Sequence, residues 1–252
     1  MGTFHETAFV TIGLIFSLSG PGLAADKTVR LTSLDWPPYT MEAAPHGATE
    51  AVARRAFAAM GYTLETDFLP WQRAMAEGKT DKKYVGYYPE YLSDALTDCL
   101  FSAPMGDSPL GLVERRDANL MGKTLDDLKT VVIGTVAGYV NDADFDARVR
   151  DGRLKVEEAA DDITNLRKVA HGRIPAAVID ANVMSYLIAA DADLSGRRDT
   201  LVFDGTSLEN KTLHVCFRKD EDGRKMAEMF NEGLKKIDVK SIVEAALNDH
   251  LK

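Results

Sequence analysis

The sequence predicts an α/β protein of two lobes, each a mostly parallel sheet flanked by helices, with two hinge crossings joining them. Three observations predict it. Two series of short β-rich runs alternate with helical patterns, and a β-like stretch stands on either side of the second series. A chain of 252 residues, 45% apolar, is long enough for two lobes of about 100 residues each.

The first series begins with a strand at Val29 to Leu34 (VRLTSL) and a helix at Glu50 to Met60 that Gly61 stops. A strand at Leu64 to Phe68 and a short helix at Gln72 to Glu77, stopped by Gly78, complete a βαβ beginning. The second series runs through a strand at Val131 to Thr135, helices at Ala143 to Val149 and Asp162 to His171, a buried strand at Ala176 to Asp180, and a helix at Ala181 to Ala190. Pro109 to Glu114 (PLGLVE) and Thr212 to Arg218 (TLHVCFR) are the flanking stretches, and Gly223 to Ile237 and Lys240 to Leu251 read as helices. The chain is therefore expected to leave lobe 1 (25–109), build lobe 2 (110–209) and return to lobe 1 (210–252). Two strands joining the lobes form a hinge about a cleft.

The first 24 residues follow another plan. Ala8 to Leu18 is an uncharged apolar run shorter than the roughly 20 residues of a membrane span. Ser19-Gly20-Pro21-Gly22 and small residues up to Ala24 follow, as in a signal peptide cleaved before Ala25. The expectation is an exported, periplasmic protein.

A net charge of -9 argues against a nucleic-acid or anionic-lipid partner, both of which need a basic surface. Cys99 and Cys216 are the only cysteines, and spacing leaves open whether they pair. They have no zinc-ligand spacing. Gly122-Lys123-Thr124 ends like a phosphate loop, but the position of that loop's first glycine is Asp117, so a turn is expected. No GxSxG, HExxH or GxGxxG occurs. Asp161-Asp162, before ITNLRKVA, reads as a helix cap.

Several segments, in order, resemble a known family. They are Leu34-Asp35-Trp36-Pro37-Pro38-Tyr39, Met60-Gly61-Tyr62, Leu69-Pro70-Trp71-Gln72-Arg73-Ala74, Phe101-Ser102-Ala103-Pro104, Ile133-Gly134-Thr135 to Gly138-Tyr139, and Gly172 to Asp180. Together they resemble type 2 periplasmic binding proteins, nearest the family 3 extracellular solute-binding proteins of polar amino-acid ABC transporters. The resemblance covers nearly all of the chain after the leader.

The resemblance implies which residues meet a ligand. Trp36 lies where the family sets an aromatic ring over the solute; the alternative is a core residue at a strand end. Asp180 matches the acid that receives a ligand ammonium, and the alternative is a cap for the helix from Ala181. Gly138-Tyr139-Val140-Asn141 matches a loop offering backbone N–H groups. In lobe 1 the family's carboxylate-clamping Arg is missing: Val85 to Ser93 (VGYYPEYLS) carries aromatics instead, and Arg73 is the nearest substitute. The expected ligand-binding set is Trp36, Tyr39, Trp71, Arg73, Tyr88, Tyr139, Asn141 and Asp180.

The function so implied is the solute-binding component of an ABC-type uptake system. It would capture a small polar, amine-bearing solute by lobe closure, as a monomer serving an inner-membrane permease, with no cofactor, metal or catalytic residue. Two alternatives stay open: an enzyme of dehydratase type on the same fold, and a periplasmic accessory protein that binds a protein partner.

Overall fold

The computed structural model describes residues 1–3 and 27–251, and all but the first three residues of the expected leader lie outside them. Alternating apolar positions open the chain with β1 (Lys27–Ser33), followed by α1 (Ala48–Ala58), β2 (Tyr62–Phe68), α2 (Trp71–Thr80), β3 (Gly86–Tyr91), β4 (Cys99–Phe101) and β5 (Gly106–Ser108). Pro109 separates β5 from β6 (Leu110–Arg115), which enters a second sheet. That sheet is completed by β7 (Val132–Val136), α3 (Ala143–Arg150), β8 (Lys155–Ala159), α4 (Asp162–Ala170), β9 (Ala176–Asp180), α5 (Ala181–Ala190), α6 (Ala192–Ser195) and β10 (Leu201–Asp204). The chain then returns through β11 (Lys211–Arg218) and ends in α7 (Glu221–Leu234) and α8 (Val239–His250).

The strand order is β2-β1-β3-β11-β4 in the first sheet, with β5 also on β11, and β10-β6-β9-β7-β8 in the second. Each sheet has a core of three parallel strands, β2-β1-β3 and β9-β7-β8. The rest is antiparallel: β11 runs against β3, β4 and β5, and β6 against β9 and β10. The expectation of mostly parallel sheets is therefore corrected to mixed ones. Strands that pass directly from one sheet to the other need no crossover helix, and such strands pair antiparallel.

Aspartates start most of the helices. Asp142, Asp161, Asp180, Asp220 and Asp238 each accept a backbone N–H from the first turn of α3, α4, α5, α7 and α8. Such caps are worth about 1 kcal/mol each, and they account for part of the acidic excess. Cys99 and Cys216 form a disulfide between β4 and β11, with Cα atoms 5.3 Å apart.

Two cores result. In lobe 1, Val29, Leu31, Phe57, Tyr88, Phe217 and Phe230 pack between the first sheet and α1 and α7, with the rings of Phe57 and Phe230 4.9 Å apart. The second core begins at Trp71, Ala74 and Tyr87, passes through Trp36 and Tyr39, and continues into lobe 2 at Leu112, Ile133, Phe145, Leu166 and Val178. It crosses from lobe to lobe, and the candidate site lies at the crossing. No helix among the described residues is long and apolar enough to cross a membrane.

Candidate functional site

The loop after β1 folds back on itself, because the Tyr39 and Thr40 amides both donate to the Trp36 carbonyl. This turn stacks the Trp36 and Tyr39 rings at 4.7 Å. Trp71, at the first position of α2, meets Tyr87 edge-on at 5.5 Å and Tyr139 of lobe 2 at 6.1 Å. Tyr139 also stands edge-on to Trp36 at 6.4 Å. Gly138 enters the left-handed region at φ +83°, which a side chain would strain, and its carbonyl accepts Trp71 Nε1–H at 3.2 Å. Five aromatic rings thus meet where the lobes face each other.

Two buried carboxyls of lobe 2 receive the polar edges of those rings. Tyr39 Oη–H donates to Asp180 Oδ2 at 2.9 Å, and Ser108 Oγ–H donates to the same oxygen at 2.5 Å. Asp180 Oδ1 accepts the Asn182 and Val183 amides at 2.7 and 2.9 Å. A carboxylate accepts about four hydrogen bonds, so Asp180 is saturated by the protein itself. The Tyr39 hydroxyl in turn accepts from Asn182 Nδ2 at 2.8 Å, and Tyr91 Oη bonds Ser108 Oγ at 2.6 Å. Asp180 acts both as a helix cap and as the centre of a network joining the lobes.

Asp162 is only half engaged. Trp36 Nε1–H and Tyr139 Oη–H both donate to its Oδ2, at 3.1 and 3.3 Å, and no described group bonds Oδ1. Burial pushes the Asp162 carboxyl up to about 7, with the nearby Asp180 and Asp161 charges adding to the rise. Burial likewise pushes Asp180 up to about 6, although its hydrogen bonds pull the other way. Glu90, held by the Tyr91 amide and the Tyr87 hydroxyl, is pushed up to about 7 by burial.

The inner space, between Trp36, Trp71, Glu90, Tyr91 and Tyr139, is a cavity of about 30 Å³, room for a water molecule or two. Outside Trp36 the cleft widens to about 690 Å³ between the two lobes. Its lining includes Asp35, Glu42, Asp161 and Asp162, with no Lys, Arg or His among the described residues. Trp36, Trp71, Tyr139, Phe68, Leu69, Ile163 and Leu187 supply its apolar wall.

Of the eight expected residues, Trp36, Tyr39, Trp71, Tyr139 and Asp180 are brought together. Three are not. Tyr88 is fully buried in the lobe 1 core with its hydroxyl on Thr66 Oγ1 at 2.8 Å, because strand alternation turns it away from the face where Tyr87 meets Trp71. Arg73 lies on the exposed face of α2, paired with Glu77 at 2.6 Å, outside the cleft. Asn141 is held against α3 by two bonds to Asp146. Sequence reading missed Tyr87, Tyr91, Ser108, Asn182 and above all Asp162. The available signal was the Asp161-Asp162 pair: one residue caps a helix, so its neighbour at the first helical position is free for another task.

No protein-family model matches the chain, and neither does any curated protein. Solved structures do. A histidine kinase sensor domain with similarity to periplasmic binding proteins matches with a TM-score of 0.75 at 19% identity, over 90% of this chain and 96% of that one. An ancestral arginine-binding protein bound to arginine matches at 0.71 and 15% identity, over 89% and 98%. The amino-acid ABC transporter substrate-binding protein AbpA from Streptococcus pneumoniae, bound to L-arginine, matches at 0.69 and 13% identity, over 89% and 96%. Nearly whole-length agreement on both sides with both sheets in place identifies the architecture: this chain has the two-lobed fold of type 2 periplasmic binding proteins.

Proposed function

We propose that this chain is a periplasmic solute-binding protein that captures a small, amine-bearing solute between its lobes and delivers it to an ABC-type permease. The observation that carries this reading is the chemistry of the interlobe cleft. It combines aromatic faces with buried carboxyls, and no described cation lines it. A buried carboxylate without a cationic partner is costly, and an ammonium or guanidinium supplies that partner while the rings hold the apolar part by dispersion and cation–π attraction. The same charge pattern disfavours a free carboxylate on the solute. Two of the similar structures hold arginine, whose guanidinium is the kind of cationic group this cleft would accept.

Capture follows from two lobes with a shared network. In the closed arrangement Trp36 reaches Asp162 and Tyr39 reaches Asp180 across the cleft. A solute that contacts both lobes favours that arrangement by its differential affinity. The hydroxyls bonded to Asp180, on Tyr39 and Ser108, are fully buried and line neither space of the cleft, and the reading is accordingly of a binder. Likeness to a sensor domain favours a second reading, in which closure signals to a protein partner instead of feeding a permease.

A thermal-shift screen of amino acids, amines, organic acids and short sugars on the purified protein tests the proposal. A saturable rise in Tm with amines or cationic amino acids is expected. A rise with no solute at millimolar concentration would refute it.

A further inference from the structure

The geometry points to Asp162, not Asp180, as the anchor of the solute's ammonium, in the outer chamber of the cleft, with an aliphatic diamine or oligoamine as the fitting ligand class. The inference rests on the solute-binding reading and deepens it.

Free lone pairs distinguish the two acids. Asp180 already accepts four hydrogen bonds, from Tyr39, Ser108 and the Asn182 and Val183 amides, and has no site left for a ligand N–H. Asp162 accepts two, both on Oδ2. Its Oδ1 has no partner among the described residues, although the residue is only 7% exposed. A carboxylate oxygen that no protein donor pairs, on a residue otherwise almost wholly buried, is a strong acceptor for a cationic donor arriving from the cleft. The exposed remnant of Asp162 belongs to the wall of the 690 Å³ chamber.

Volume separates the two positions as well. The inner cavity holds about 30 Å³, enough for water but not for an organic solute, whereas the outer chamber has the size of a small-molecule site. Leu34, Trp36, Trp71 and Tyr139 line both spaces.

The chamber also sets the ligand's charge pattern. Asp162 is its one buried acid, and Asp35, Glu42 and Asp161 are exposed at the rim. Leu69, Ile163 and Leu187 add apolar surface to the same chamber. A methylene chain with an ammonium at each end matches this composition: one ammonium on Asp162, the chain on the apolar wall and rings, and the second ammonium on the exposed carboxylates of the lining. An α-amino acid fits less well, because nothing cationic among the described lining residues would face its carboxylate.

Intrinsic fluorescence gives a direct readout, since the chain's only two tryptophans, Trp36 and Trp71, both line the chamber. The experiment titrates the purified chain with putrescine, spermidine, propylamine, L-arginine and succinate, and repeats this with Asp162→Asn, Asp162→Glu and Asp180→Asn after circular dichroism confirms folding. Saturable binding of putrescine or spermidine, tighter than propylamine, is expected. Asp162→Asn should weaken it about ten-fold or more, Asp162→Glu should weaken it less, and Asp180→Asn, which acts only through lobe closure, should weaken it less than Asp162→Asn does. Solute binding that survives Asp162→Asn but is lost in Asp180→Asn overturns this inference and leaves the solute-binding reading standing. Preference for succinate overturns it too. Failure of all five solutes and of the wider screen to bind overturns both.

Discussion

Asp162→Asn offers a sharp test of the electrostatics of the cleft, because it changes a charge and almost no volume. In an unfolded chain an aspartate titrates near 3.9, whereas burial holds Asp162 at about 7. Between those values the folded protein binds the proton more tightly than the unfolded chain, so Asp162 makes stability fall as pH rises from about 4 through 7. Roughly three pKa units at about 1.4 kcal/mol each give on the order of 4 kcal/mol of destabilisation, fully present above pH 7 and absent below pH 4. Asparagine keeps an oxygen for Trp36 Nε1–H and Tyr139 Oη–H but carries no charge. The variant should therefore come within about 1 kcal/mol of the wild type at pH 4.5 and exceed its stability by a few kcal/mol at pH 8. Urea denaturation followed by circular dichroism at half-unit pH steps measures the difference. Neighbouring acids are the same in both proteins, so the comparison isolates Asp162 apart from its mutual repulsion with Asp180 and Asp161, which acts in the same direction. A difference that does not vary with pH, or an asparagine variant less stable than wild type at pH 8, would refute the reasoning.

Other perturbations probe the remaining contacts. Tyr39→Phe removes a donor to Asp180 and an acceptor for Asn182 across the lobes; it should cost about 1.5–3 kcal/mol at pH 8, and an unchanged Tm would contradict the network. Cys216→Ser opens a disulfide whose cysteines are 117 residues apart; the chain-entropy model sets about 5 kcal/mol as the upper range of the loss, read as a lower denaturation midpoint. Tyr88→Phe and Arg73→Ala should leave solute affinity unchanged in calorimetry, because one ring is in the lobe 1 core and the other side chain faces outward. Affinity for a permanently charged amine should fall as pH drops below 7, approaching ten-fold per unit, because protonation of Asp162 removes its charge; Asp35, Glu42 and Asp161 are the other acids lining the chamber, Glu90 lines the inner cavity, and Asp180 lies buried nearby.

Much of the fold was legible because its signals are local. The strand Ala176–Asp180 and the helix Ala181–Ala190 match their expected bounds, since an apolar run followed by an aspartate cap and a helical pattern needs no tertiary information. The strand Lys155–Ala159 was missed because its burial is low and its sequence, KVEEA, has no apolar alternation; only pairing with β7 makes it a strand. The antiparallel hinge strands were seen as β-like stretches, but their direction depends on partners far away in sequence.

The site was harder to read for a related reason. A residue's type tells what it can bond, but its place in a network decides what it has left to offer. Asp180 and Asp162 are the same residue in similar positions at helix starts, yet Asp180 is the cap itself and Asp162 follows one. The cap geometry turns Asp180 Oδ1 onto its own helix, and Tyr39 and Ser108 then take the other oxygen. Asp161 does the capping for α4, which frees Asp162 to face Trp36 and Tyr139. A sequence motif that matches an acid at a strand end cannot distinguish a saturated carboxylate from an available one, because the donors that saturate it lie 72 and 141 residues away. Binding capacity here is thus a property of the unpaired oxygen, and the residue that carries it is the one whose neighbour satisfied the helix.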